Sequence, residues 1–133
     1  MSIVIYLGSP EGAEAAARVL AGTAEVRSVP PMPDAVAAAL VDADALLDAS
    51  MKVRITAAMT AAAHRLRVIS CATTGSDHIA RDGLGDRGID VRTLREDPQV
   101  LRNLTPAAEL SWALLMACAR RLKGAFRHVE GGA

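Results

Sequence analysis

Aromatic side chains are almost absent: Tyr6, Trp112 and Phe126 make up 2% of the 133 residues. A core must therefore be assembled from Ala, Val, Leu and Ile, and little is available to stack against a flavin ring. Net charge is absent too, because fifteen basic residues are matched by fifteen acidic ones. Lys52 and Lys123 are the lysines, so thirteen of the basic residues are arginine, yet no run gathers them into a nucleic-acid footprint. Cysteine is confined to Cys71 and Cys118, far apart in apolar segments. That predicts reduced core thiols in a cytoplasmic protein. The longest apolar run, Trp112 to Ala119, is far short of the roughly 20 residues of a membrane span, so no membrane partner is expected. The first residues lack the charged region of a signal peptide.

What is present is 51% hydrophobic residues in a regular alternation. Ile3–Leu7 reads as a buried strand closed by Gly8-Ser9-Pro10, and Glu11–Ala21 as an alanine-rich helix ended by Gly22. Ala24–Val29 is a more polar strand towards an edge. Asp34 can cap a helix from Ala35 to about Val41. Strands follow at Ala45–Ala49, Leu66–Cys71 and Ile89–Leu94, with a helix over Ile55–Arg65 and a short helix or helical turn over 79–87. Arg95–Leu104 reads as irregular, and Thr105–Lys123 as a long terminal helix. Strands alternating with helices predict an α/β fold, a three-layer flavodoxin-like sandwich on a five-stranded parallel sheet. The expected division is a domain over 1–104, the helix 105–124 as part of it, and a tail over 125–133.

In the terminal helix Thr105 suits the N-cap, Pro106 the first turn, and Gly124 the end. Trp112–Ala119 is apolar all round, so more than one side must be covered. A sandwich of this size covers one side, which predicts another copy or another domain against the rest.

Most chemical motifs fail on context. Gly83-Leu84-Gly85-Asp86-Arg87-Gly88 matches a dinucleotide fingerprint in letters, but a strand begins right after it where a helix should open, so it reads as a turn. His64, His78 and His128 have no metal-ligand spacing to each other or to the cysteines. His78 beside Asp77 could be an oriented base; the preferred reading has Asp77 capping the next turn and His78 exposed. A receiver domain would need acidic companions for Asp48, and none is present. A flavodoxin would need a phosphate loop after strand one, and Gly8-Ser9-Pro10-Glu11-Gly12 is short and carries a Glu.

One stretch keeps its promise. Leu66–Cys71 runs as a buried strand into Ala72-Thr73-Thr74-Gly75-Ser76, a turn whose backbone N–H groups have little side-chain cover. Ligands of open α/β sheets sit at such carboxyl ends, and bare amides suit an anion.

Residues 45–123 resemble the substrate-binding domain of the D-isomer specific 2-hydroxyacid dehydrogenases. The resemblance rests on Arg65–Ser70 leading into Thr74-Gly75-Ser76-Asp77-His78-Ile79, on Arg87-Gly88-Ile89-Asp90-Val91, on Thr105–Leu110, and on Ala119-Arg120-Arg121-Leu122. It implies that the backbone at Thr73, Thr74 and Gly75 binds the carboxylate of a small 2-hydroxy or 2-keto acid. Ser50 and Met51 would flank it, and Asn103 would help line the cleft. Ala80 departs from the family's usual Asp. The family's reaction is NAD(P)-dependent, and its Rossmann domain carries the cofactor and the catalytic Arg, Glu and His. No residue here matches those, so the expectation is a truncated dehydrogenase substrate domain with no catalytic, cofactor or metal residues of its own. It would act as a homo-oligomer, as a dimer for example, or with a separate Rossmann-domain chain. The alternative is a non-catalytic module that binds small carboxylates or proteins and oligomerises through helix 105–123.

Overall fold

The computed structural model describes residues 1–132. They fall into two units, Met1–Asp97 and the residues from Pro98 onward. The first unit is a five-stranded sheet in the order β2-β1-β3-β4-β5, with every pair parallel. Its strands are β1 (Ser2–Leu7), β2 (Ala24–Ser28), β3 (Ala45–Asp48), β4 (Val68–Cys71) and β5 (Asp90–Thr93). Three helices join them: α1 (Pro10–Val19), α2 (Pro33–Leu40) and α3 (Ala57–Ala62). The parallel α/β sheet is the one that the alternating pattern predicts, with polar β2 at the edge.

The register shows how the strands divide their side chains. Ile5, Leu46, Ile69 and Val91 form one rung, and Leu7, Asp48, Cys71 and Thr93 the next on the same face. That face packs against Val36 and Leu40 of α2, with Ile55, Ala63, Leu66 and Ile79 closing the core. The opposite face carries Tyr6 and Leu47, which with α1 residues line an apolar cavity of about 530 Å³. At the opposite end of the strands Asp44 accepts the Ile3 N–H at 2.8 Å and pairs with Arg65 at the same distance. The Ile3 bond, followed by Arg65, holds the Asp44 carboxyl below the usual carboxylate range.

Several element boundaries differ from the sequence expectation. Pro33 opens α2, because its fixed φ suits the first helical position; Asp34 is in the first turn and caps nothing, with Met32 at the N-cap. The helix expected over Ile55–Arg65 shrinks to α3, since Ile55 bridges to Ile79 and Thr56 caps the Met59 N–H. Residues 79–87 take the turn form of the short helix or helical turn expected there; Gly83 within them and Gly88 just beyond sit at φ +71° and +67°, outside the helical region. Within these turns Leu84 is buried, and Arg87 donates to the Thr60 and Ala63 carbonyls at the end of α3. The glycine motif is thus a structural corner. No helix N-terminus opens in it, so its residues do not fit a dinucleotide pyrophosphate. The loop after β1 is filled as well: a Cβ at Gly12 would meet the Tyr6 hydroxyl at 2.0 Å.

Residues 95–104, expected as irregular, hold a 3-10 turn at Leu94–Glu96 and the helix α4 (Pro98–Asn103). In the second unit, the single terminal helix expected over Thr105–Lys123 is divided into α5 (Pro106–Ala119) and α6 (Leu122–Glu130). Arg121 at φ 50° makes the break. Gly124 therefore lies inside α6 and ends nothing, and residues 125–130 of the expected tail are helical. Thr105 stands at the N-cap without a side-chain cap bond; its hydroxyl donates to Glu109 instead.

Ile69 is fully buried in the middle of the sheet. Replacing it by Ala removes its apolar contacts and opens a cavity, so Ile69→Ala should lower unfolding stability by about 2–5 kcal/mol. Urea denaturation of the two proteins measures the difference, and a loss below about 1 kcal/mol would contradict this placement of the core.

Candidate functional site

The carboxyl ends of β3, β4 and β5 converge on Asp48, Cys71 and Thr93, which share the last rung. Asp48 is fully buried, yet none of its bonding capacity is wasted. Its Oδ1 accepts the N–H groups of Ser50 (2.7 Å) and Met51 (3.0 Å) and the Ser50 hydroxyl (2.9 Å). Its Oδ2 lies 3.0 Å from His78 Nε2. One carboxylate thus folds the loop after β3 onto itself and ties it to the segment that follows β4. Met51 is held in the left-handed region at φ 54°, a conformation that the two bonds to its neighbourhood help to fix.

His78 is the clearest departure from expectation: its side chain is only 11% exposed, where an exposed ring was foreseen. Its Nδ1 is buried without a partner among the described residues. A proton there would be an unsatisfied buried donor, so the network assigns the proton to Nε2, donating to Asp48. Asp77 and His78 form the turn whose Ile79 N–H returns to the Ser76 carbonyl. Cys71, beside Asp48, has its thiol pKa raised, first by burial and then by the Asp48 charge.

The turn after β4 is braced from within. Thr73 donates its hydroxyl to the Gly75 carbonyl at 2.8 Å, while its own carbonyl accepts the Leu94 N–H at 3.0 Å. Among the described residues, no acceptor takes the N–H groups of Thr74, Gly75 or Ser76. Thr74, Gly75 and Ser76 line a cavity of about 360 Å³ together with Arg81, Thr93 and Arg95. Arg81 donates to the Ser76 hydroxyl at 2.8 Å. Free amides beside guanidinium groups can hold an anion.

The residues expected at the site are distributed as follows. Thr74 and Gly75 line this cavity, and Thr73 supports it from below. Met51 approaches it, its Cε methyl 3.9 Å from where a Cβ at Gly75 would be. Ser50 lines a different cavity, of about 280 Å³, with Gly8, Ser9 and Lys52. Asn103 belongs to the second unit, where its amide donates to the Gln99 carbonyl at 3.0 Å. Asp48, Arg81 and Arg95 were not foreseen. For Asp48 a signal existed: it is an acid on the inward-facing positions of the apolar strand Ala45-Leu46-Leu47-Asp48.

Residues 3–95 match the family model described as "D-isomer specific 2-hydroxyacid dehydrogenase, catalytic domain". The chain belongs to that family. A glyoxylate reductase/hydroxypyruvate reductase of Mus musculus is 42% identical over 74 residues, which are 56% of this chain and 21% of that protein. Its Homo sapiens counterpart is 40% identical over the same share of each. The match thus spans about a fifth of the length of these curated relatives. Among solved structures, a protein from Thermus thermophilus superposes with a TM-score of 0.75 at 27% identity, over 99% of this chain and 41% of that one. A phosphoglycerate oxidoreductase from Vibrio cholerae shares the fold with a TM-score of 0.68 at 22% identity, over 100% of this chain and 42% of its own. Among the described residues, no helix is long and apolar enough to cross a membrane.

Removing the Asp48 side chain would leave the Ser50 and Met51 amides and the His78 ring without their acceptor. Asp48→Ala should therefore cost about 3 kcal/mol of stability. It should also speed hydrogen exchange at the Ser50 and Met51 amides, and unchanged exchange there would contradict the bonding described. The raised Cys71 thiol predicts a second outcome. Ellman's reagent at neutral pH should modify Cys71 far more slowly in the folded chain than in the chain unfolded by urea. Comparable rates in the two conditions would show that Cys71 is not shielded.

Proposed function

We propose that residues 1–97 form the acid-binding part of a D-2-hydroxyacid dehydrogenase. The ligand is a small 2-hydroxy or 2-keto acid, its carboxylate received by the amides of Thr74, Gly75 and Ser76. The observation that carries this reading is the set of three unpaired N–H groups at a strand end, in a cavity of about 360 Å³, within a chain of this family. Thr73 keeps the turn rigid, the Met51 methyl borders it, and the Asp48–His78 bond fixes the two loops against each other. The resemblance adds Ser50 as a cleft residue. In this reading Ser50 acts through the hydrogen bonds that shape the β3 loop.

These residues supply binding and orientation. Hydride transfer requires a nicotinamide and a proton donor. The Gly83–Gly88 turn does not fit a pyrophosphate. In this reading the described residues supply the acid-binding side of the reaction and work with a nicotinamide-binding domain. The exposed apolar side chains of α5 support such a partner: Leu110, Trp112, Leu114 and Leu115 all face solvent, and Trp112 is 66% exposed. The same observation favours the second reading, a non-catalytic carboxylate-binding module that self-associates through α5.

Titration of the isotope-labelled chain with pyruvate tests the site. Amide resonances of Thr74 to Ser76 should move in a saturable way; shifts confined to other residues would contradict the assignment. Sedimentation at micromolar concentration tests the cover on α5. A dimer or larger species is expected, and a stable monomer would count against a self-associating helix.

A further inference from the structure

A parallel sheet carries apolar side chains on both faces and is ordinarily covered on both. Among the described residues, the face opposite the α2 core is covered only in part. Its rungs run through Val4, Ala45 and Val68, then through Tyr6, Leu47 and Ser70. α1 packs beside β2, while Ala45, Leu47, Val68 and Ser70 of β3 and β4 stay half-buried. The cavity of about 530 Å³ beside α1 continues into one of about 270 Å³ over Ala45 and Val68, the two sharing Leu20 and Leu47. Beyond them the Asp90–Arg92 ion pair of β5 forms a charged rim. The open strip is two four-residue strands wide, about 10 Å by 13 Å, the size of one short helix.

α6 is a helix of that size, nine residues and about 13 Å long. Its Leu122, Ala125, Phe126 and Val129 fall at i, i+3, i+4 and i+7 and make one apolar stripe. All four are exposed, Phe126 at 63%, so in a single chain the stripe and the strip both face solvent. Trp112–Ala119 of α5, apolar on every side, has no polar back to leave in water. Charge agrees as well: α1 carries Glu11 and Glu14 against Arg18 alone, and Lys123 and Arg127 run along one flank of the α6 stripe. We infer that α6 of a second copy of this chain docks on the open strip of β3 and β4. Phe126 enters the larger cavity against Leu47 and Val19, with Lys123 and Arg127 towards the α1 rim. The exchange is reciprocal, so a two-fold pair closes both strips. It is independent of acid binding, because the strip is a face of the sheet and the Thr74–Ser76 amides lie beyond a strand end.

The test is an NMR experiment on mixed pairs, one chain labelled at its Leu and Val methyls and the other unlabelled. Phe126 is the chain's single phenylalanine, so its ring protons are assigned without ambiguity. Contacts from the unlabelled Phe126 ring to the labelled Leu47 and Val19 methyls are expected. In sedimentation, Phe126→Asp should raise the dissociation constant of the pair at least about tenfold, since a charge then replaces an apolar side chain buried on association. Phe126→Leu should keep most of the affinity. Phe126 is exposed in the single chain, so neither replacement disturbs its fold. A chain that stays monomeric overturns the inference, as do contacts between Phe126 and Leu47 found only within one chain. A pair that Trp112→Asp weakens and Phe126→Asp leaves unchanged overturns it equally, and assigns the association to α5.

Discussion

A carboxylate removed from water must be given its hydrogen bonds by the protein, and the site at the top of this sheet is arranged around meeting that demand for Asp48. Three donors of the β3 loop converge on one oxygen and the His78 ring on the other. The consequence is geometric. Ser50 and Met51 cannot move independently of His78, and His78 lies two residues beyond Ser76, the last of the three free amides. A buried acid at the end of β3 thereby sets the spacing between two loops that have no regular secondary structure to hold them.

The same arrangement explains why the turn after β4 can present bare amides without collapsing. Its side chains and carbonyls are spent on bracing: the Thr73 hydroxyl on Gly75, the Thr73 carbonyl on Leu94, the Ile79 N–H on Ser76. What is left over is a row of N–H groups lining a cavity. Family membership gives this leftover a meaning, since the matched region is the part of the family described as its catalytic domain.

How much of this was legible beforehand follows from the range of the interactions involved. Period and composition are local, and they announced the alternating strands and helices, the parallel sheet, the polar edge strand and the turn at Thr73–Gly75. The Asp48–His78 bond spans thirty residues of sequence, and no local pattern pairs an acid in a strand with a histidine in a turn. Helix ends departed from expectation for related reasons. Alanine favours helix over all of 57–63, yet Arg87 from a distant turn takes the carbonyls that end α3. The break at Arg121 had no glycine to mark it; the glycine that invited a stop, Gly124, is helical. The arginines of the cavity escaped notice because an arginine-rich chain makes any single arginine look like background.

Whether the free amides after β4 receive a small acid is the decisive question for this molecule. The most direct measurement is a crystal structure of the chain with oxamate, a non-reacting analogue of pyruvate. Its carboxylate oxygens are predicted about 3 Å from the backbone nitrogens of Thr74 to Ser76, with the Asp48–His78 bond intact. Oxamate bound instead in the cavity beside Ser50 and Lys52, with the Thr74–Ser76 amides facing only water, would contradict it.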